Sequence, residues 1–237
     1  MRNPVTLIAG DRDSSHFGTA PYLHDALALA GKDAPLALYI GAASGDNARF
    51  GAALCGLIAA AGAREVLWPK LAGKRREKAR AREALERADF VFVGGGDVEF
   101  GIAALLEAEL FEPMHTAATR GVIFAGMSAG AIMLGQRWIR WPREDAGDDE
   151  AETFECVGIA PCSLDTHGEG DRWRETQSFA AVLAHETGKT ARAYAVPSGG
   201  ALVASAQGTL EAFGKPVPVF AARPGAKAKR EKTLEAK

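Results

Sequence analysis

Five short runs in the first half of the chain are apolar at nearly every position and are closed by glycine or proline: VTLIAG (5–10), LALYIGAAS (36–44), REVLWP (64–69), FVFVGGGD (90–97) and GVIFAG (121–126). A strand with no polar face has to be covered on both sides, which is the situation of a central parallel sheet. The intervening segments 18–30, 47–62, 74–87, 98–110 and 128–135 have helical patterning, with Asp46 placed to cap the second and Lys/Glu pairs at helical spacing along the third. Strands alternating with helices predict an α/β fold, a parallel sheet with helices on both faces and right-handed crossovers.

Beyond residue 138 the pattern changes. Seven acids fall between Glu144 and Glu155, which predicts a solvated loop. Residues 171–187 read as a helix. ARAYAVP, GALVASA and PVPVFAA read as short strands that finish the sheet in antiparallel fashion. Residues 1–222 are expected to form a single domain, and the Lys-rich segment 223–237, lacking a core face, a mobile tail.

Composition narrows the function classes. With 28 Lys+Arg against 30 Asp+Glu, the chain is no general nucleic-acid coat. Charges interrupt every apolar stretch before the ~20 residues a bilayer requires, so no membrane association is expected. The first apolar run is too short for a signal peptide and is followed at once by Asp11. Three cysteines without paired spacing predict a reducing cytoplasm, no disulfide framework and no metal site. No cofactor is expected.

The most informative segment is VIFAGMSAGAIM (122–133), which contains the GxSxG sequence Gly126–Met127–Ser128–Ala129–Gly130. With 27 Gly in 237 residues, chance yields such a pattern roughly 0.1 times per chain. Between a strand and a helix, this spacing makes a tight turn that projects the serine hydroxyl above the sheet. The glycines let strand and helix approach, and the Ala129 amide is placed to meet an oxyanion. The triple glycine Gly94–Gly96 stands at another strand end, where its amides supply a second donor. A serine nucleophile needs a base. Of the five histidines, His167 in SLDTHGEG and His16 after the first strand are the two placed to face the crevice.

FVGGGD, AGMSAGAIM and the later Asp-x-His together resemble the dipeptidase E and cyanophycinase family of serine peptidases over about residues 4–220. RWIRWP (137–142) and YAVPSGGALV (194–203) look like an uncharacterised branch of it. The resemblance implies a flavodoxin-like three-layer sandwich, similar to class I glutamine amidotransferases. Ser128 matches the nucleophile, His167 the catalytic histidine, and the amides of Ala129 and Gly95 or Gly96 the oxyanion hole. Asp97 stands where dipeptidase E has Asn and is a candidate substrate contact.

The triad acid is not reproduced. One family position lands on Arg143, and the other lands near Ser198. A shift of one or two residues brings Glu144 or Asp145 to His167. Asp165, two residues before His167 on a strand, points the same way, and a Ser–His dyad is the remaining option. The implied substrate is a short peptide with an aspartyl group, which calls for a cation. Arg12 has the best position, ahead of Arg49, Arg137, Arg140 and Arg172, and His16 is a further substrate contact. The expected partner is a small peptide, with a homodimer as a possible assembly. An α/β-hydrolase-type esterase and a non-catalytic binding relative are the rival readings.

Overall fold

The computed structural model describes residues 3–11, 17–73, 76–143, 145–205 and 207–237. The five apolar runs form strands β1 (Val5–Ile8), β2 (Leu36–Ile40), β3 (Glu65–Leu67), β4 (Phe90–Val93) and β5 (Ile123–Met127). They pair in parallel in the spatial order β1-β5-β4-β2-β3. Two antiparallel strands, β10 (Ala201–Ala204) and β11 (Leu210–Phe213), extend this sheet beyond β1.

Alternation along each strand divides the core. Ala37, Tyr39, Phe90, Phe92, Ile123 and Ala125 face helices α1 (Ala20–Ala28) and α2 (Ala48–Ala60). Leu38, Ile40, Val91, Val93 and Phe124 face α3 (Lys78–Arg87), α4 (Val98–Glu107), α5 (Phe111–Arg120) and α6 (Ala129–Leu134). Leu23, Leu54 and Ile58, the helix residues that close the first face, are fully buried. Each contributes about 1.5–3 kcal/mol. The result is the expected α/β architecture of a large, mostly parallel sheet between helical layers.

The second half is more elaborate than its sequence pattern. Strand β8 (Leu164–Thr166), β9 (Ala191–Val196), β12 (Val217–Ala222) and β13 (Lys229–Leu234) form a separate four-stranded sheet packed by helix α7 (Arg174–Thr187). A hairpin of β6 (Arg137–Arg140) and β7 (Glu152–Glu155) takes up the end of the acidic stretch. Where the sequence suggests a tail, β13 pairs antiparallel with β12, and Ala236 bridges to Ala212. Backbone pairing needs no apolar side chain, and a Lys-rich edge discourages further strand addition. Helix α2 is capped by Asn47, whose Oδ1 accepts from Phe50 N at 3.0 Å, rather than by Asp46. Asp46 instead accepts from the Trp68 indole and the amides of Leu71 and Ala72. Among the described residues no helix is long and apolar enough to cross a membrane.

Candidate active site

The carboxyl ends of β1, β4 and β5 lie side by side, and Ser128 sits on the turn from β5 into α6. Its backbone is at φ 53°, ψ −122°, a region that non-glycine residues occupy at a cost of about 1–3 kcal/mol. Sterics hold it there. A Cβ on Gly126 would sit 2.5 Å from the Gly130 carbonyl oxygen, and one on Gly130 would overlap the Val93 carbonyl. Only glycine lets α6 descend this far onto β4 and β5. The Ser128 amide donates to Ile8 O at 2.8 Å, tying the turn to β1.

The glycine loop after β4 closes on the same point. A Cβ on Gly95 would be 3.2 Å from Ser128 Cβ, and one on Gly96 (φ 145°) would overlap the backbone of Ala43. Gly94 donates to Ile40 O and Asp97 to Ala43 O, which fixes the loop from both ends. Among the described residues no acceptor takes the amides of Gly96 or Ala129. The Asp97 carboxylate accepts from Phe100 N at 2.7 Å and caps α4.

His167 arrives from the other sheet. Strands β8 and β9 are parallel, with Thr166 opposite Val196, so the residues that follow each strand emerge together. His167 sits at φ 67° and its Nδ1 lies 2.8 Å from Ser198 Oγ. Ser128 and His167 both line two adjoining cavities, which also share Asp11 and Gly96. The larger, about 550 Å³, is walled by Trp138, Ile132, Asp165, Glu175 and Ser198. The smaller, about 270 Å³, is walled by Phe17, Phe50 and Met127, with Phe17 and Phe50 edge to face at 5.3 Å. Among the hydrogen bonds of the described residues none joins Ser128 Oγ to the ring.

Asp165 is 3% exposed. Burial pushes its carboxyl up to about 7, and the nearby Glu175 charge adds to the shift. The Thr176 hydroxyl and the Thr166 amide donate to its two oxygens and oppose that shift. Glu175 is raised too, by the protein mass around its carboxyl and by Asp171, although the residue as a whole is exposed.

The remaining sequence candidates are dispersed. Asp145, 87% exposed, pairs with Arg143 and is not among the cavity-lining residues. Arg137 and Arg140 are engaged with Glu186 and Glu152, and neither they nor Arg49 and Arg172 line the cavities. Arg12, His16 and Glu144 lie outside the described residues. Glu175 has no motif that singles it out in the sequence, and Trp138 stands there only within RWIRWP, with no site role attached; both reach the site through tertiary packing. The hollow between α3 and α5, about 400 Å³, is lined by Arg82, Glu109, Thr116 and Arg120 and shares no lining residue with the two cavities at Ser128.

A family model described as peptidase family S51 matches residues 7–210. Two solved structures share the fold. A peptidase from an acI-B1 Actinobacterium is 15% identical with a TM-score of 0.64, the match covering 99% of this chain and 97% of that one. A candidate peptidase E protein from Listeria monocytogenes EGD-e is 13% identical with a TM-score of 0.62, over 90% of this chain and 98% of that one. No curated protein matches the sequence at a significant level.

Proposed function

Because the chain belongs to peptidase family S51 and is a serine-type peptidase, we propose that Ser128 is its nucleophile and His167 its general base, acting on short peptides. The observation that carries this reading is the strained serine turn sharing its cavity with the histidine ring. His167 Nε2 takes the hydroxyl proton as Oγ attacks the peptide carbonyl. The amides of Ala129 and Gly96, with Gly95 beside them, hold the tetrahedral oxyanion. Collapse returns the proton to the leaving amine, and water then releases the acyl group from Ser128. The dipole of so short a helix as α6 adds little to this.

For the substrate, the resemblance to dipeptidase E favours aspartyl dipeptides, with Arg12 as the cation and His16 as a further contact; the Asp97 carboxylate caps α4 and is not among the cavity-lining residues, which argues against its role as a substrate contact. A second reading is favoured by the lining itself. Asp11 and Glu175 border the larger cavity, joined above about pH 7 by an ionised Asp165, and no Arg or Lys does so among the described residues. That composition suits a free α-amine or a basic side chain, with an apolar residue against Phe17 and Phe50.

A fluorophosphonate probe should label Ser128 in the wild type and nothing in Ser128→Ala, with unchanged circular dichroism. Turnover of a dipeptide panel by Ser128→Ala at the wild-type rate would overturn the nucleophile. Asp-X, Lys-X and Leu-X members of that panel, compared by kcat/KM, decide between the two substrate readings.

A further inference from the structure

We propose that Ser198 is the positioning residue of His167, standing where a serine peptidase usually places a carboxylate. This rests on Ser128 and His167 acting as nucleophile and base. His167 Nδ1 lies 2.8 Å from Ser198 Oγ, and in the proposed arrangement the Nδ1 proton is donated to that hydroxyl oxygen. That contact holds the ring in the tautomer whose Nε2 is unprotonated, the form able to take a proton from Ser128.

The surroundings of Ser198 are those of a fixed support rather than a surface hydroxyl. It is half-buried on the turn Pro197–Gly200, closed by Gly200 N donating to Pro197 O at 2.8 Å. Gly199 takes φ 75°, the conformation a type II turn requires at its third position. Three neighbours lock this turn. Gly199 N donates to Gly10 O at 2.8 Å, at the end of β1. The Tyr22 hydroxyl, from α1, donates to Gly199 O at 2.9 Å. The Ser198 amide donates to the Glu169 carboxylate, in the loop that carries His167 itself. The two segments are thus stapled twice, by backbone to carboxylate and by ring to hydroxyl.

A hydroxyl orients the ring but brings no charge. A carboxylate at the same place would favour the imidazolium and raise the pKa of the ring. Replacing Ser198 by Asp is therefore a different perturbation from deleting its oxygen with Ala, and Thr keeps the hydroxyl.

The test measures the rate of fluorophosphonate labelling at Ser128 against pH for the wild type, Ser198→Ala, Ser198→Thr and Ser198→Asp, beside an NMR titration of the His167 ring. Ser198→Ala should lower the maximal labelling rate about 10–100-fold with probe affinity unchanged, and Ser198→Thr should restore it to within about threefold. Ser198→Asp should move the rising limb of the pH profile and the NMR titration upward by about one pH unit. Wild-type rate and pH profile in Ser198→Ala would overturn the proposal. So would a His167 titration indifferent to Ser198→Asp, a readout that survives if the Ala variant fails to fold. The NMR titration requires no turnover, so loss of this proposal and loss of Ser128 as nucleophile appear in separate measurements.

Discussion

The two walls of the cavity are built on opposite principles. The wall of the proposed nucleophile, β4–β5–α6, is held by exclusion: Gly126, Gly130 and the Gly94–Gly96 loop leave no room for a side chain. Its residues lie within some forty positions of sequence. The wall of the proposed base, at the ends of β8 and β9, is held by hydrogen bonds between segments about thirty residues apart, and it contains the buried carboxyl of Asp165. A wall built from backbone contact tolerates no volume but is indifferent to pH. A wall built from polar side chains tolerates volume better but titrates.

The sharpest way to break this contrast is Gly130→Ala. The new methyl meets the carbonyls of Val93, the last residue of β4, and of Gly94, whose amide is tied to Ile40 O, so neither can move aside. A loss of about 3 kcal/mol or more is expected in urea unfolding. A loss under about 1 kcal/mol would show that the wall gives way and that exclusion is not what holds it.

Next is Asp165→Asn. The native carboxyl keeps its proton to about pH 7, whereas an unfolded Asp releases it near 3.9. Between those values the unfolded state binds fewer protons, so the contribution of this group to stability is full below about pH 4 and is lost as pH rises to about 7. Asn keeps the side-chain shape, and its Oδ1 still accepts from Thr166. The variant should therefore gain stability over the wild type across that window, by up to about 4 kcal/mol at pH 8. A difference that stays constant between pH 4.5 and 8 would remove the titrating character assigned to the base wall.

A smaller effect compares the walls directly. Ser128 and His167 both hold positive φ, so Ser128→Gly should abolish labelling while stabilising the fold by up to about 1 kcal/mol, whereas His167→Gly should abolish labelling with no net gain, because it relieves the same strain but removes the ring contact to Ser198. If one of them destabilises strongly, that side chain carries packing as well as chemistry. The smallest effect belongs to Asp145→Asn. An exposed carboxylate paired with Arg143 contributes within about 0.5 kcal/mol, and labelling should stay within twofold of the wild type. A hundredfold loss of labelling would instead identify Asp145 as the acid that orients the base.

Much of the nucleophile wall was legible because its signals are contiguous. FVFVGGGD and FAGMSAG each show a buried strand, its end and its turn in a single stretch. The acid position was not legible in the same way. Counting along the chain put one family position on Arg143, beside Glu144 and Asp145, and the other near Ser198, which offers no carboxylate; it is Ser198, in an ordinary Pro–Ser–Gly turn, that the fold brings to the ring nitrogen of His167. Asp46 misled for a related reason. It precedes a helix as a cap would, yet its carboxylate is taken by Trp68 and by the amides of the chain beyond β3.

Local chain chemistry was sufficient for the five-stranded parallel core, the helices around it and the serine turn, because period, glycine placement and steric exclusion act over a few residues. It was not sufficient to sort the later strands between two sheets, to pair Lys229–Leu234 with β12, or to bring Ser198 to His167. Those outcomes depend on which strand edges and turns meet across the folded molecule. Hydrogen bonds between distant segments leave no periodic trace in the order of the residues that make them.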